Sequence, residues 1–358
     1  MKRKSKKKIL ILVLSIVPVL VLAGIWAFTV MVYNENFNRR FESYEPLMRY
    51  VDDFDGLQCA EYQFVSNKGQ KLAGYLYTAG ENPRGIIVMA HGFGGGGHNS
   101  YMDCANYFAH HGYCVFAYDA TGNDESEGDG VGGLPQGVID LDYAIRFVEK
   151  SGRFPDLPIA LFGHSWGGYS VCSVLTYHPE VKAVIACSGF NASSDMFEAE
   201  GKRQAGDGIY VMMPFVKLHE RLKYGRYAAN TAMDGFAESD AAVMIVHSLD
   251  DEVVPPEYGC DIYSEKYGED PRFRFLFLED KGHNCLNDET YKDAFDAEFD
   301  RWLETLDYEY DAPENRERFS EEKADYIHRN LDREKWSNSL DLELFEDFVE
   351  FYDENMRD

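Results

Sequence analysis

Residues 158–169 constrain the fold of this chain more than any other stretch. They read P-I-A-L-F-G-H-S-W-G-G-Y, an apolar run that leads through Ser165 into a helical pattern. A serine held at a tight turn from a strand into a helix has a strained backbone, so Gly163 and Gly167 leave room for the chain that crosses there. The helix N-terminus also favours negative charge that develops beside the serine. The sequence therefore predicts a buried strand, a sharp turn with Ser165 at its apex, and a helix.

Two further groups follow this serine, first an acid and then a histidine. Asp250 and Asp251 come after the strand-like residues 242–247, and His283 comes after the strand-like residues 272–278. A serine hydroxyl is a poor nucleophile at neutral pH unless a neighbouring base takes its proton, and an acid orients that base. His283 is the predicted base. The residues themselves leave Asp250 and Asp251 as competing acids.

The order serine, acid, histidine resembles that of the α/β-hydrolase superfamily, in particular its serine aminopeptidase, monoacylglycerol lipase and esterase branch. The resemblance covers about residues 59–306, and it implies a mostly parallel central sheet flanked by helices. The related hydrolases commonly have a D-x-x-V-P pattern at the acid, and this pattern selects Asp251. The resemblance also implies an oxyanion hole made by the main-chain N–H groups of Phe93 and Trp166.

Residues 1–33 are predicted to lie outside the catalytic body. Six of the first eight residues are Lys or Arg, and the 25 residues from 9 to 33 carry no charge. As a helix this stretch is about 37 Å long, against a hydrocarbon layer of about 30 Å. We interpret it as a cytoplasmic basic segment and an uncleaved transmembrane signal anchor, with a cleaved signal peptide as the alternative. The basic cluster predicts a single-pass protein of the cell membrane with an extracytoplasmic catalytic domain.

The remaining boundaries divide the chain into three parts. Residues 34–58 are predicted to form a stalk or a short helix against the domain, 59–306 the α/β-hydrolase domain, and 307–358 an acidic, helical C-terminal extension. Within the domain, the alternation of helices and strands stops at residues 189–240, where related hydrolases carry a lid. The apolar run 209–216 in this insertion either roofs an acyl-binding pocket or buries itself on the body.

Charge and motif content exclude several classes of partner. Beyond the first eight residues, 29 basic residues face 62 acidic ones, a net charge of −33. This argues against nucleic acid and against anionic membrane surfaces as partners, because phosphate binding requires basic patches. No cofactor and no metal are predicted: the acidic residues 119–133 lack the ligand spacing of a calcium loop, and the chain has no H-E-x-x-H pattern and no P-loop.

The predicted function is that of a serine hydrolase acting on small carboxylic esters, with acylglycerols and lysolipids as candidates. One alternative is a serine aminopeptidase or other amide hydrolase of the same superfamily acting on short peptides. Such an enzyme would need lid carboxylates to hold a substrate amine, and Glu198, Glu200 and Glu220 are available. A further alternative is a non-catalytic binding protein displayed at the surface, against which the intact serine, acid and histidine argue.

Overall fold

The computed structural model describes residues 2–356, and the side chains of residues 14–356. In this part of the chain one sheet of eight strands has the order β1-β2-β4-β3-β5-β6-β7-β8. The strands are β1 (Gln58–Val65), β2 (Lys71–Thr78), β3 (Ile86–Ala90), β4 (Cys114–Tyr118), β5 (Ile159–His164), β6 (Ala183–Cys187), β7 (Ala242–Ser248) and β8 (Phe273–Leu278). The pair β1–β2 and the pair β2–β4 are antiparallel, and all other pairs are parallel. The mostly parallel sheet that the resemblance implied is confirmed.

Helices cover both faces of this sheet. They are α1 (Lys2–Phe37), α2 (Met102–His110), α3 (Pro135–Lys150), α4 (Trp166–Ser173), α5 (Ser193–Ala205), α6 (Met213–Tyr224), α7 (Ala232–Glu238), α8 (Cys260–Tyr267), α9 (Thr290–Leu303), α10 (Arg316–Asn330), α11 (Arg333–Ser337) and α12 (Leu342–Asn355). The inner strands are continuous apolar runs because successive residues face different cores. In β5, for example, Leu161 packs with α3 and α4 on one face, whereas Phe162 packs with α2 and α12 on the other.

The C-terminal extension contributes to the second of these cores. Phe345, Phe348 and Tyr352 lie on one face of α12 and are fully buried. The Phe348 ring centroid lies 6.0 Å from that of Phe162, and the Tyr352 hydroxyl donates a 2.7 Å hydrogen bond to the Leu161 carbonyl oxygen. This apolar face of the C-terminal extension therefore packs on the sheet.

The segment predicted as a stalk, residues 34–58, also lies against the body. Phe41 forms an isolated parallel bridge with Asn123, and a guanidinium nitrogen of Arg49 lies 2.9 Å from a carboxylate oxygen of Asp103. Both members of this ion pair are buried, so removing one would leave an uncompensated charge. The segment connects α1 to the domain through these contacts.

The described residues contain one helix, Leu14–Phe37, that is long and apolar enough to cross a membrane. By length and composition it fits both a membrane anchor and a signal sequence. Its earlier turns are exposed, but Thr29, Tyr33 and Phe37 near its end are buried against the body. The end of this helix therefore belongs to the packed protein.

Residues 189–240 form an insertion between β6 and β7 that is mostly helical. The insertion consists of α5, a 3₁₀ turn over Gly206–Val211, α6, a second 3₁₀ turn over Gly225–Ala228, and α7. Local signals start its helices: Pro214 occupies the first turn of α6, and the Thr231 hydroxyl accepts a hydrogen bond from the Asp234 N–H at the start of α7. We call this insertion the lid, and its helix α6 packs against α1.

Candidate active site

Ser165 stands at the sharp turn between β5 and α4. Its backbone dihedrals are φ 57° and ψ −116°, a conformation that costs energy for any residue with a side chain. Two close approaches explain the neighbouring glycines. A Cβ atom on Gly163 would lie 2.4 Å from main-chain atoms of Gly167, and one on Gly167 would lie 2.0 Å from the Ala90 carbonyl oxygen. A side chain at either glycine would therefore clash with main-chain atoms of this turn.

The structure brings Ser165, His283 and Asp251 together from three loops at the carboxyl ends of β5, β8 and β7. The Ser165 Oγ lies 3.0 Å from His283 Nε2, and His283 Nδ1 lies 2.8 Å from Asp251 Oδ2. An ionised carboxylate only accepts hydrogen bonds, so Nδ1 carries a proton and Nε2 is free to accept from the serine hydroxyl. These contacts have the geometry that general-base activation of a serine requires.

The two candidate acids have different surroundings. Asp251 is buried, and its Oδ1 accepts hydrogen bonds of 2.9 Å from the main-chain N–H groups of Val253 and Val254. Burial would raise the pKa of the Asp251 carboxyl, but the hydrogen bond and charge of His283 and these amides hold it below its usual value. Asp250 is exposed and does not contact His283; its Oδ1 accepts from the Ser248 hydroxyl and the Gly282 N–H.

A chain of hydrogen bonds supports the back of His283, and the sequence analysis did not find it. The His164 Nε2 lies 2.8 Å from the His283 carbonyl oxygen, and the His164 Nδ1 lies 2.9 Å from the Tyr101 hydroxyl. Burial and the neighbouring His283 lower the pKa of His164 to about 4, so this ring is neutral at pH 7. Its one proton then lies on Nε2, since a carbonyl can only accept, and Nδ1 accepts from Tyr101. The Gly92 N–H donates to the same hydroxyl at 3.1 Å.

The two predicted oxyanion donors flank the serine turn. Trp166 follows Ser165 directly, and Phe93 lies in the loop after β3, with its ring centroid 5.6 Å from that of Trp166. Within residues 2–356, neither main-chain N–H donates to a protein acceptor. The Phe93 ring also contacts Phe37 at 5.9 Å and Phe41 at 4.8 Å, so the N-terminal segment packs against the loop that carries the predicted donor Phe93.

Among the described residues, one group has the spacing of a metal site, and it lies away from Ser165. Glu149, His178 and Glu180 place their ligand atoms within 4.8 Å of one another. Both ring nitrogens of His178 are already hydrogen-bonded, to Glu180 and to Asp142, each at 2.7 Å. Although burial opposes it, these carboxylates raise the pKa of His178, which favours the protonated ring without a lone pair for a metal.

Comparison with known proteins agrees with this architecture. A family model described as serine aminopeptidase, S33, matches residues 81–227. A monoacylglycerol lipase of Mycolicibacterium smegmatis is 27% identical over 130 residues, which are 36% of this chain and 46% of the lipase. The chain thus spans less than half of the length of that relative. The esterase Pf2001 of Pyrococcus furiosus superposes on 75% of this chain and 97% of its own with a TM-score of 0.53, at 14% identity.

The sheet order, the strained serine turn and the covering helices define the α/β-hydrolase fold. The proteins that the chain resembles are esterases, lipases and peptidases.

Proposed function

We propose that the protein is a serine hydrolase that cleaves carboxylic esters, with Ser165, His283 and Asp251 as its catalytic triad. The observation that carries this proposal is the continuous contact from the Ser165 hydroxyl through the His283 ring to the Asp251 carboxylate, at 3.0 Å and 2.8 Å. Asp251 is further held by two main-chain amides, so the ring has one fixed orientation toward the serine.

The proposed reaction has two steps. His283 takes the hydroxyl proton as Ser165 attacks the ester carbonyl, and it gives that proton to the leaving alcohol when the intermediate collapses to an acyl-enzyme. His283 then activates a water molecule, which releases the acid and regenerates the serine. The N–H groups of Phe93 and Trp166 are proposed to hold the oxyanion in both steps. Loss of one such donor typically costs about 3 kcal/mol of transition-state stabilisation.

The lid carboxylates favour esters over peptides with a free amine. Glu198 lies 3.1 Å from the Lys202 ammonium group, and Glu200 pairs with Arg203. Glu220 is buried, and its two oxygens accept hydrogen bonds from Tyr33 and Ser193. Each carboxylate that an aminopeptidase would use therefore already has a partner within the protein. We infer that Glu198, Glu200 and Glu220 do not offer an unpaired carboxylate to a substrate amine.

We also propose that the N-terminal helix is an uncleaved anchor, which holds the enzyme at the outer side of the cell membrane. Support comes from its packed end, because Thr29, Tyr33 and Phe37 contribute to the protein interior. Cleavage after Phe37 would remove these residues and with them one wall of the lid. Mass determination of the mature protein from its native host tests this: an intact residue 14 supports the anchor, and a mature chain that begins after residue 25 refutes it.

Labelling with a fluorophosphonate tests the catalytic proposal directly. We expect the wild-type protein to be labelled and Ser165→Ala to remain unlabelled, with Ser170→Ala as a control that keeps its labelling. Absence of labelling in a folded wild-type sample would refute the proposal and favour a non-catalytic binding protein. Comparison of p-nitrophenyl esters with aminoacyl-p-nitroanilides then separates an esterase from an aminopeptidase, and we expect turnover of the esters.

A further inference from the structure

An apolar cavity of about 200 Å³ lies between the N-terminal helix and the lid. Its apolar lining comes from both elements: Phe28, Val32 and Phe37 of α1, and Phe197, Ile209 and Met212 of the lid. Apolar cavities of about 150 Å³ stay dry and accept small apolar molecules. This cavity therefore has the size and the chemistry to accept an apolar group, and we call it the anchor–lid cavity.

One end of the anchor–lid cavity is close to the candidate catalytic centre. Phe37 lines the cavity, and its ring centroid lies 5.9 Å from that of Phe93 in the oxyanion loop. Phe93 in turn lies 5.6 Å from Trp166, the residue after the serine. Two aromatic rings thus separate the cavity from the turn that bears Ser165. A chain bound in the cavity would have one end directed toward the site of ester cleavage.

The other end of the cavity lies where a bilayer surface is expected. A helix crosses a hydrocarbon layer of about 30 Å in about 20 residues, so a span that starts at residue 9 ends near Phe28. Phe28 lines the cavity and is 54% exposed, whereas Thr29 and Tyr33, which follow it, are buried against the body. The rim of the cavity and the expected edge of the membrane therefore coincide at Phe28.

The lid surface beside this rim has the composition of a membrane-contacting face. Four of its apolar side chains are exposed, namely Tyr210, Val211, Leu218 and Leu222. Residues 202–226 contain six Lys and Arg against two Asp and Glu, although the chain beyond its first eight residues has a net charge of −33. Exposed apolar groups combined with local positive charge favour contact with anionic lipid.

We propose that the anchor–lid cavity binds the acyl chain of a lipid ester that enters from the bilayer surface, between the anchor helix and the lid. The inference rests on the proposed ester hydrolysis and deepens it, because it makes the anchor a wall of the substrate site. The chain lies against Val32, Phe197 and Ile209, and the ester end lies toward Phe93 and Ser165. The substrate class is then a membrane-resident acyl ester with a long apolar chain.

Filling the cavity tests this proposal in the full-length protein, reconstituted in nanodiscs that contain anionic lipid. Val32→Trp fills the cavity, and Met31→Trp places the same ring on the neighbouring position, which is 48% exposed and does not line it. We expect Val32→Trp to lower kcat/KM for a long-chain monoacylglycerol at least about tenfold, because the CH₂ groups that the ring excludes stay in contact with water. We expect p-nitrophenyl acetate turnover to stay within about twofold, because an acetyl group does not reach the cavity.

Two results would overturn the proposal: equal loss on both substrates, or no loss on the long chain. Met212→Trp fills the cavity from the lid side and replaces Val32→Trp if that variant does not fold. A second readout does not depend on activity. A glycerol ether with a diazirine at the end of its alkyl chain is expected to crosslink to Phe197, Ile209 or Met212 in the wild-type protein.

The crosslinking result separates this proposal from the catalytic one. If the wild type hydrolyses no ester but crosslinks within the cavity, the proposed function fails and the lipid site stands. If it hydrolyses esters but crosslinks only to the outer face of α1, the enzyme stands and the cavity proposal fails. An excess of unlabelled glycerol ether must abolish the crosslink, and a crosslink that persists also refutes a defined site.

Discussion

Two buried carboxylates, Asp251 and Glu220, have opposite electrostatic behaviour in this molecule. Asp251 accepts hydrogen bonds from two main-chain amides and from His283, and its pKa lies below the usual value despite burial. Glu220 accepts from the hydroxyls of Tyr33 and Ser193, at 2.7 Å and 2.6 Å, and burial raises its pKa to about 7. Both side chains are almost fully buried, so burial alone does not decide the charge.

The difference lies in the donors. Amides two and three residues along the chain, together with a histidine that can become cationic, favour the ionised carboxylate at Asp251. Two neutral hydroxyls from distant segments do not outweigh the desolvation of Glu220. Asp251 is thus held ionised beside the proposed base. Glu220 instead joins α1 to α5 and α6 through its hydrogen bonds, and its pKa of about 7 leaves it partly protonated at neutral pH.

The largest expected effect is at the acid. Asp251→Asn should lower kcat about 10⁴-fold, because an amide at this position favours the wrong tautomer of His283. Asp250→Asn is the matched control: its side chain is exposed and does not contact the imidazole. We expect it to change kcat less than about tenfold. Steady-state kinetics on a p-nitrophenyl ester measure kcat for both variants. A larger loss for Asp250→Asn would show that Asp250, and not Asp251, is the catalytic acid.

The next effect concerns the pH dependence of stability at Glu220. The folded protein binds the proton of the Glu220 carboxyl more tightly than the unfolded chain does. The contribution of this proton to the unfolding free energy is therefore complete below about pH 4.5 and is lost as the pH rises to about 7. Glu220→Gln removes the titration. Relative to wild type, the variant should therefore gain up to about 3 kcal/mol in unfolding free energy between pH 4.5 and pH 8.

Thermal or denaturant unfolding of the full-length protein in one detergent measures this difference at the two pH values. Glu265→Gln on α8 is the control, because its exposed side chain should alter the unfolding free energy by less than about 0.5 kcal/mol. A difference between wild type and Glu220→Gln that is equal at both pH values would contradict the arrangement, since it would mean that the carboxyl remains solvated.

The contrast also explains how much the sequence could predict. The inner strands are recognisable because a parallel sheet covered on both faces requires continuous apolar runs, such as residues 85–90. The serine turn and His283 are recognisable because the residues that shape each loop are close in sequence. The residues left Asp250 and Asp251 as competing acids, and the resemblance alone selected Asp251. The catalytic roles stay predictions, but the structure brings all three side chains together.

The interface around Glu220 could not be predicted in the same way. Tyr33 ends an uncharged stretch, and the composition of a helix is the same whether it faces lipid or packs on protein. Its hydrogen-bond partner stands 187 residues later in the chain. The ion pair of Arg49 with Asp103 could not be predicted either, because the sequence around each residue contains no pattern that indicates the other as its partner. Contacts between distant segments depend on tertiary packing, which periodicity does not encode.

The smallest expected effect concerns the hydrogen bonds that join Tyr101 through His164 to the main chain of His283. The Tyr101 hydroxyl donates to His164 and accepts from the Gly92 N–H, and Gly92 precedes the proposed oxyanion donor Phe93. Tyr101→Phe removes both contacts, so we expect a loss of about 1–2 kcal/mol in stability. If these hydrogen bonds position Phe93 and His283, kcat should also fall about tenfold with little change in KM, because both residues act in the transition state.

Tyr50→Phe is the control for this variant. The Tyr50 hydroxyl is exposed and donates a hydrogen bond to Glu45, so its loss should change neither stability nor kcat. A Tyr101→Phe variant that loses stability but keeps its full kcat would show that the hydrogen bonds of Tyr101 and His164 only stabilise the fold. Main-chain donors alone would then hold the catalytic groups in place.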